Sequence, residues 1–397
     1  CEALESVVMG SKLESIGSSA FFQCSALSNV IIGNNVKTIG GSSFYNCKNI
    51  VELNIPDSVT SIGGTCFVSC EKLTTITIGS GVESIGNQAF YGCSALKDIR
   101  YNGTAETWCG INFDSWDANP LSCGESLYEK SPSGVYTLVE NLVVTDKVDS
   151  VGKCAFGGYP KLKSVILSGS VKSIGASAFR ECSNLENVTL SEGLESIGGS
   201  AFYYCEKLKS IVIPNSVKTI GASAFRDCES LSSVTIGTSV EALEESVFSE
   251  CISLDSIVIP DSVKTIGKSA FSSCDNLTSV SIGSGVTSIG DYAFSMCKKI
   301  TTINIPNSVT YIGNYAFQYC VGIESITIPE SVRYIGYNAF LSCNGLKDVT
   351  FENTSGWTIR VTEYGTANAI TSGLDNTATA ANYLTSTYCG RYWNRTN

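Results

Sequence analysis

The residues best able to do chemistry in this 397-residue chain are its eighteen cysteines. A cysteine thiolate can act as a nucleophile, bind zinc or, after oxidation, close a disulfide. The chain contains no histidine, which is the commonest general base and the commonest metal ligand. It also has no two cysteines separated by two residues. The composition therefore argues against Cys-His or Ser-His-Asp catalysis and against a zinc site.

The spacing of the cysteines indicates a structural role for most of them. Thirteen recur at intervals of 23 residues, from Cys1 to Cys93 and from Cys182 to Cys343. A free cysteine buried at such a regular position behaves as a small hydrophobic residue with a weak S–H donor. Tyrosine replaces it in two repeats, so the thiol is not a strict chemical requirement. The cysteines outside the pattern are Cys66, Cys109, Cys123, Cys154 and Cys389. Cys109 and Cys123 are the one pair that we consider for a disulfide.

The regular cysteines open a repeat with the consensus C-x-x-L-x-x-I-x-I-P/G-x-S-V-x-x-I-G-x-x-A-F-x-x. Thirteen complete copies are present, four over residues 1–92 and nine over residues 136–342. We number the positions of one copy as slots, starting from the cysteine. Slots 4, 7 and 9 are aliphatic in every copy, and the alternation of slots 7 and 9 is typical of a short strand. Proline or glycine in slot 10 predicts a turn after that strand.

Two further slots carry strong preferences. Slot 17 is glycine in twelve of the thirteen copies and Glu244 in the other. This preference indicates a special backbone conformation or a close approach that a Cβ atom would obstruct. Slot 21 is always phenylalanine, from Phe21 to Phe340. A single 23-residue coil cannot bury its own apolar face, whereas stacked coils bury it against each other. The repeat therefore predicts a solenoid.

The unit resembles the leucine-rich repeat of the BspA-like bacterial surface proteins. The resemblance is carried, for example, by Cys205-Glu-Lys-Leu-Lys-Ser-Ile-Val-Ile-Pro-Asn-Ser-Val-Lys-Thr-Ile-Gly-Ala-Ser-Ala-Phe225. It implies a leucine-rich-repeat fold, a right-handed coil of short parallel strands with a 23-residue period. Proteins with this repeat are typically cell-surface or secreted adhesins, and no catalytic residue belongs to the repeat.

The pattern divides the chain into four parts. An irregular interruption separates the two blocks of repeats, and we expect it to continue the solenoid, with Trp108, Phe113 and Trp116 sealing the core. Beyond the last repeat, strand-like runs at 357–361 and 368–370 and a short helix after Ala378 are expected to cap the open apolar end. Because the first repeat begins in register at Cys1 without a cap, we expect further sequence upstream. The four parts are the repeats of 1–102, the interruption of 103–135, the repeats of 136–350 and the capping segment of 351–397.

Charge and composition exclude several classes of function. The chain has 26 basic and 37 acidic residues, a net charge of −11, which argues against nucleic-acid binding and against a basic membrane anchor. No apolar run approaches the roughly 20 residues that a membrane-spanning helix needs. The glycines are periodic and belong to coil turns rather than to a phosphate-binding loop. We therefore predict a protein that is not an enzyme and that needs no cofactor or metal.

The candidate binding residues are tyrosines in non-core slots of the last complete repeats. Equal slots of successive coils stack about one strand spacing apart, so these tyrosines are predicted to form one patch. Tyrosines are common at recognition surfaces, where they supply contact area at low entropic cost. The six residues are Tyr292, Tyr311, Tyr315, Tyr319, Tyr334 and Tyr337. A second stripe in slot 22 either binds or simply covers the flank of the solenoid: Phe22, Tyr45, Tyr91, Arg180, Tyr203 and Arg226.

These observations favour a cell-surface or extracellular, adhesin-like module. Its partner is predicted to be a surface or matrix protein of a host or of a neighbouring cell. Two alternatives stay open. The repeats could form a structural stalk that presents an upstream domain, or the tyrosines could stack on sugar rings of a glycan. An open groove flanked by Asn and Asp would favour the glycan.

Overall fold

The computed structural model describes residues 1–370 and 372–395. The chain separates into two compact units, Cys1–Val188 and Thr189–Asn397. In both units each regular coil contributes two short parallel strands, one over slots 6 to 9 and one over slots 15 and 16. Strand partners lie 23 residues apart, as in the pairs Ile16 with Ile39 and Ile266 with Ile289. The fold is therefore the solenoid that the repeat predicts.

The first unit carries the N-terminal coils, the interruption and the coils that follow it. The strands over slots 6 to 9 and their counterparts in the interruption are Ser6–Val8, Asn29–Ile31, Glu52–Asn54, Thr75–Ile78, Asp98–Tyr101, Ser126–Lys130, Asn141–Val144 and Ser164–Leu167. The second strands are Ser15–Ile16, Thr38–Ile39, Ser61–Ile62, Ser84–Ile85, Asn112–Phe113, Ser150–Val151 and Ser173–Ile174. Tyr136–Leu138 adds an antiparallel strand, and Asn187–Thr189 follows in the chain.

The second unit repeats the same pattern and ends in the capping segment. Its first strands are Ser210–Val212, Ser233–Thr235, Ser256–Ile259, Ser279–Ile282, Thr302–Asn304, Ser325–Ile328 and Asp348–Phe351. Its second strands are Ser196–Ile197, Thr219–Ile220, Ala242–Leu243, Thr265–Ile266, Ser288–Ile289, Tyr311–Ile312 and Tyr334–Ile335. The capping segment contains the strands Trp357–Arg360, Asn368–Ala369 and Tyr392–Arg395, an α-helix at Thr377–Asn382 and a π-helical turn at Tyr383–Thr387.

The core of each unit is built from the aliphatic slots and the slot-21 phenylalanines. Leu27, Val36, Ile39 and Phe44 of one coil are all buried. Neighbouring phenylalanine rings stack with centroids 5.1 to 5.7 Å apart. This offset stacking adds to the free energy gained by burying the rings.

Slot 17 holds glycine because the backbones of two successive coils approach closely there. A Cβ on Gly63 would lie 2.4 Å from the backbone nitrogen of Gly41, and a Cβ on Gly221 would lie 2.4 Å from that of Gly199. Where Glu244 replaces the glycine, one sheet of second strands ends at Thr219–Ile220 and another begins at Ala242–Leu243. Of the two explanations open from the sequence, close approach is therefore the correct one.

The left-handed backbone conformation occurs in slots 19 and 23 instead. Within residues 1–370 and 372–395, all twenty-four non-glycine residues with positive φ lie in these two slots. Ser19 (φ 58°) and Gln23 (φ 57°) are typical. Their amides donate hydrogen bonds to carbonyl oxygens of the next coil, from Ser19 to Gly41 at 2.9 Å and from Gln23 to Tyr45 at 2.8 Å. These bonds offset the steric cost of the left-handed conformation.

The interruption supplies one irregular coil of the first unit. Its helix Ala105–Trp108 is capped by Thr104, and the short helices Trp116–Ala118 and Pro120–Ser122 follow. Trp108 is buried and its indole Nε1 donates to the carbonyl of Ala155 at 2.7 Å. Phe113 is buried as expected. Trp116 is half-buried and stacks against the guanidinium of Arg180 at 5.0 Å, so it lies at the surface rather than in the core.

The capping segment covers the last coil of the second unit. Its strand Tyr392–Arg395 pairs antiparallel with Tyr334–Ile335 and also with Trp357–Arg360. Trp357 and Trp393 are buried, and their ring centroids lie 5.4 and 6.1 Å from that of Phe351. The apolar end that the repeat would leave open is therefore shielded by aromatic side chains.

Candidate binding surface

Apart from exposed Cys1, the regular cysteines are buried. From Cys47 onward, thiols in this slot donate to the carbonyl oxygen of the phenylalanine 26 residues earlier, as from Cys47 to Phe21 at 3.1 Å. Burial raises the pKa of the Cys47 thiol to about 12, because the thiolate would lose its hydration. The same bond is made by Cys70, Cys93, Cys182, Cys228, Cys251, Cys274, Cys297, Cys320 and Cys343. These thiols act as packing groups and weak donors.

The pairing considered for Cys109 and Cys123 is wrong, because both are free thiols. The Sγ atom of Cys109 bonds to the carbonyl of Ala105 at 3.5 Å, and that of Cys123 to the carbonyl of Pro120 at 3.4 Å. Each thiol thus has a local partner in its own short helix or turn. Within residues 1–370 and 372–395, no group of three or more His, Cys, Asp and Glu residues is arranged to hold a metal ion.

Two pairs of the predicted tyrosines stack across successive coils. Tyr311 and Tyr334 occupy slot 15 of adjacent coils and are paired in register, with ring centroids 4.8 Å apart and planes 1° from parallel. Tyr292 and Tyr315 occupy slot 19, with centroids 4.7 Å apart and planes 6° from parallel. The 23-residue register brings each pair together, because equal slots lie one above the other.

Further contacts join these pairs to the end of the chain. The ring of Tyr337 lies edge-on to Tyr315, with centroids 5.8 Å apart. Tyr392, in the capping segment, lies 5.6 Å from Tyr337 and 6.5 Å from Tyr334. Tyr319, which is exposed in slot 23, makes no ring contact with another aromatic residue in the described part of the chain. We call the connected set the tyrosine cluster: Tyr292, Tyr311, Tyr315, Tyr334, Tyr337 and Tyr392.

Tyr392 is the member of this cluster that the repeat pattern does not reveal. It lies beyond the last repeat, so no slot assigns it a position. It reaches the cluster because strand Tyr392–Arg395 adds to the second strand of the last complete coil. In this strand, half-buried Tyr392 and Asn394 alternate with buried Trp393 and Arg395, so Tyr392 lies on the opposite face of the strand from Trp393.

A pocket of about 380 Å³ lies beside the cluster. Four tyrosines of the cluster line it together with the slot-18 residues Asp291 and Asn314. Val361 and Thr362 of the capping segment close it on another side. The tyrosines that line it are Tyr292, Tyr315, Tyr337 and Tyr392. The site therefore combines phenol groups, one carboxylate and one amide.

The polar residues of the pocket are held by a ladder of hydrogen bonds. The Oδ1 atom of Asp291 accepts from the backbone N–H of Asn314 at 2.7 Å, and its Oδ2 atom accepts from the side-chain Nδ2 of Asn314 at 3.3 Å. The Oδ1 atom of Asn314 in turn accepts from the N–H of Tyr337 at 2.8 Å. A carboxylate offers about four acceptor sites, so Asp291 keeps acceptor capacity for a ligand.

The cluster lies in a region of negative potential. Burial raises the pKa of Tyr311, and the charges of Asp291 and Glu363 raise it further. Burial and then the charge of Glu363 likewise raise the pKa of Tyr392. Since a negative charge disfavours formation of a phenolate, these shifts indicate that both carboxylates act on the cluster. The phenols of Tyr311 and Tyr392 therefore stay protonated at neutral pH.

The slot-22 stripe forms smaller groups. In the first unit, Phe22 and Tyr45 stack with centroids 4.9 Å apart, and Tyr91 is exposed. In the second unit, the guanidinium of Arg226 lies 5.9 Å from the ring of Tyr203, and its Nε atom contacts a carboxylate oxygen of Asp227 at 3.2 Å. These contacts are local, between neighbouring coils or adjacent residues.

Comparison with known proteins gives consistent results. A family model described as the BspA type leucine rich repeat region (6 copies) matches residues 1–115, 135–255 and 241–359. Comparison with curated proteins gives no significant match. A leucine-rich repeat protein from Bacteroides ovatus is 29% identical, with 87% of this chain and 86% of that chain covered and a TM-score of 0.59. One from Eubacterium ventriosum is 21% identical, covers 77% and 88% of the two chains, and has a TM-score of 0.51, a likeness of fold. In the described part of this chain, no helix is long and apolar enough to cross a membrane.

Proposed function

The chain belongs to the BspA-type leucine-rich-repeat family, and from this premise we propose that it is an adhesin-like protein-binding module of the cell surface or extracellular space. Leucine-rich-repeat folds generally bind proteins. Their stacked coils hold many side chains in fixed positions, which reduces the entropic cost of binding a partner. The partner that we propose is a surface or matrix protein of a host or of a neighbouring cell.

The observation that carries this proposal is the tyrosine cluster. Its rings hold one another in place, as in the stacked pairs Tyr311 with Tyr334 and Tyr292 with Tyr315. Tyrosines ordered in this way give a partner contact area with little further loss of side-chain freedom. Tyr319, exposed in slot 23, adds a seventh residue to the binding surface that we propose.

The proposed role is non-enzymatic and needs no cofactor. The thiols with strongly raised pKa values, such as Cys47 and Cys123, pack in the core or in turns. They do not converge on a cleft, whereas catalytic groups with perturbed pKa values share one.

A second candidate function is carbohydrate binding. It is favoured by Asp291 and Asn314, which line the pocket beside the tyrosines. Aromatic rings flanked by such polar groups can stack on a sugar and bond to its hydroxyls. It is less favoured than protein binding, because in each stacked pair one tyrosine covers a face of the other.

The test is saturable binding of the purified chain to immobilised matrix proteins, mucins and glycans. The test variant replaces Tyr292, Tyr311, Tyr315 and Tyr334 with alanine. The control variant replaces four exposed or half-exposed aromatic residues of the slot-22 stripe: Phe22, Tyr45, Tyr91 and Tyr203. We expect the parent and the control variant to bind a protein. The test variant should lose this binding while its thermal unfolding temperature stays that of the parent. Binding to glycans alone would favour the second candidate, and no binding by any of the three would favour a structural stalk.

A further inference from the structure

We propose that the pocket beside the tyrosine cluster binds the cationic side chain of a lysine or arginine presented by the protein partner. This inference rests on the proposed function and adds the chemical group that the partner must present. It is drawn from the size of the pocket, from its charge and from the acceptor atoms around it.

The size of the pocket suits one side chain. Its volume of about 380 Å³ is near the lower end of the range of roughly 300 to 1,000 Å³ for small-molecule sites. Val361 and Thr362 limit it on the side of the capping segment. A lysine or arginine can place its apolar stem against the rings and its charged end against the polar wall.

The charge of the pocket favours a cation. Asp291 lines it, and Glu363 acts on the same tyrosines, as the raised pKa values of Tyr311 and Tyr392 indicate. The cation that acts on Tyr292 is Lys268, whose Nζ atom forms an ion pair with Glu245 at 3.2 Å. Asp291 in the pocket and Glu363 near the cluster outnumber Arg360, whose backbone pairs with that of Tyr392. A lysine or arginine would neutralise this excess of negative charge.

The acceptors also suit a cation better than a sugar. Lysine and arginine carry only donors, and the pocket offers the remaining lone pairs of Asp291 and the phenol oxygens of Tyr337 and Tyr392. A cation close to the tyrosine rings would gain further from their π systems. A sugar would instead need an open ring face, and Tyr292 and Tyr315 cover one face of each other.

The test uses the whole chain and small probes. The probes are the blocked tripeptides acetyl-Gly-Lys-Gly-amide and acetyl-Gly-Arg-Gly-amide, the neutral control acetyl-Gly-norleucine-Gly-amide, and methyl glycosides of glucose and N-acetylglucosamine. Binding is followed by calorimetry and by the ring NMR signals of tyrosines labelled with ¹³C. We expect saturable shifts of the Tyr292, Tyr315 and Tyr337 signals with the cationic peptides alone, weakened by added salt.

Two charge-removing variants locate the site. Asp291→Asn should lower the affinity for the lysine peptide by about tenfold, the loss of one charge-assisted contact. Its fold should persist, because Asn314 already accepts the corresponding bond from Tyr337 in the next coil. Glu363→Gln should lower the affinity about twofold, because this carboxylate is exposed and screened by solvent. The matched control is Asp261→Asn, whose carboxylate accepts a similar bond from Ser284 away from the cluster.

Each remaining outcome overturns the inference. Equal binding of the norleucine peptide would make the pocket a general apolar site, and binding of the glycosides alone would make it a sugar site. Absence of binding by every probe, or equal affinity in Asp291→Asn and Asp261→Asn, would also overturn it. If a protein partner is lost in the four-tyrosine variant but kept in Asp291→Asn, the proposed function stands and the inference fails. If the lysine peptide binds but no macromolecular partner is found, the pocket binds a cation and the proposed function fails.

Discussion

The Sγ atom of Cys274 donates to the carbonyl oxygen of Phe248, 26 residues earlier, at 3.2 Å. The backbone N–H of Cys251 donates to the same carbonyl oxygen at 3.3 Å. The slot-21 carbonyl therefore accepts from an amide of its own turn and from a thiol of the next coil. The repeated cysteine is a link between coils rather than a reactive group.

Thiol labelling should separate the buried cysteines from the exposed ones. In the folded protein we expect iodoacetamide at pH 8 to modify exposed Cys1 first and half-exposed Cys389 next. Cys47 and the other buried thiols should react only after unfolding, because burial raises their pKa values and blocks access. Peptide mapping by mass spectrometry measures the rates. Modification of Cys47 in the folded protein as fast as that of Cys1 would contradict the buried ladder.

The same thiols should make the protein sensitive to alkaline pH. Their pKa values are raised from 9.0, to about 12 for Cys47 and Cys343. Above pH 9 an unfolded thiol loses its proton while the folded thiol keeps it, so the unfolded state binds fewer protons and stability falls as the pH rises. Below pH 9 both states are protonated and these thiols cause no pH dependence.

Urea unfolding at pH 8 and pH 10 measures this effect. Each fully shifted thiol should contribute a loss of up to about 1.4 kcal/mol per pH unit above 9. In Cys343→Ala the difference in unfolding free energy between the two pH values should be smaller than in the parent. The buried phenol of Tyr159 acts in the same direction, since burial raises its pKa too. The contribution of the thiol is therefore the difference between the pH effect in the parent and the pH effect in Cys343→Ala. An equal pH effect in Cys343→Ala and the parent would refute the assignment.

Much of this fold follows from local pattern. The period, the aliphatic slots and the phenylalanine stack depend on which side chains can be buried, and the sequence reports that directly. The left-handed residues of slots 19 and 23 could not be predicted, because residues such as serine, glutamate and tyrosine occupy most of these positions and glycine occupies only two, Gly92 and Gly158. Their conformation is imposed by hydrogen bonds to the next coil, such as that from Tyr292 to Asn314.

The candidate site was only partly predictable for a related reason. The repeat register places Tyr311 over Tyr334 and Tyr292 over Tyr315, because equal slots stack. It carries no information about Tyr392, whose position depends on how the capping segment returns to the last coil. The pocket depends on both parts of the chain, so it becomes visible only in three dimensions.

The interruption should depend on one tyrosine hydroxyl. The hydroxyl of Tyr159 donates to the carbonyl of Val139 at 2.5 Å and accepts from the N–H of Leu127 at 3.3 Å. Tyr159→Phe should lower the free energy of unfolding by about 1 to 3 kcal/mol, because buried polar atoms lose their partner. Tyr159→Cys restores the repeat consensus, yet it should destabilise at least as much, since it also leaves a cavity.

Thermal and urea unfolding of both Tyr159 variants measure these changes. The control is Tyr91→Phe, in which an exposed ring loses its hydroxyl and stability should change by less than about 0.5 kcal/mol. A Tyr159→Cys variant as stable as the parent would show that the slot-1 consensus alone determines stability at this position.

Slot 17 allows the close approach of coils to be tested with a matched pair of glycines. A Cβ on Gly63 would lie 2.4 Å from the nitrogen of Gly41, whereas a Cβ on Gly17, in the same slot of the first coil, would meet no atom within 4 Å. Gly63→Ala should destabilise by about 1 to 3 kcal/mol, because the coils must move apart. Gly17→Ala should be neutral or slightly stabilising, by up to about 1 kcal/mol, since alanine restricts the unfolded chain. Urea unfolding of the two variants measures both changes in stability. Equal effects would mean that slot 17 is selected for backbone conformation, and the sheet break beside Glu244 would then need another cause.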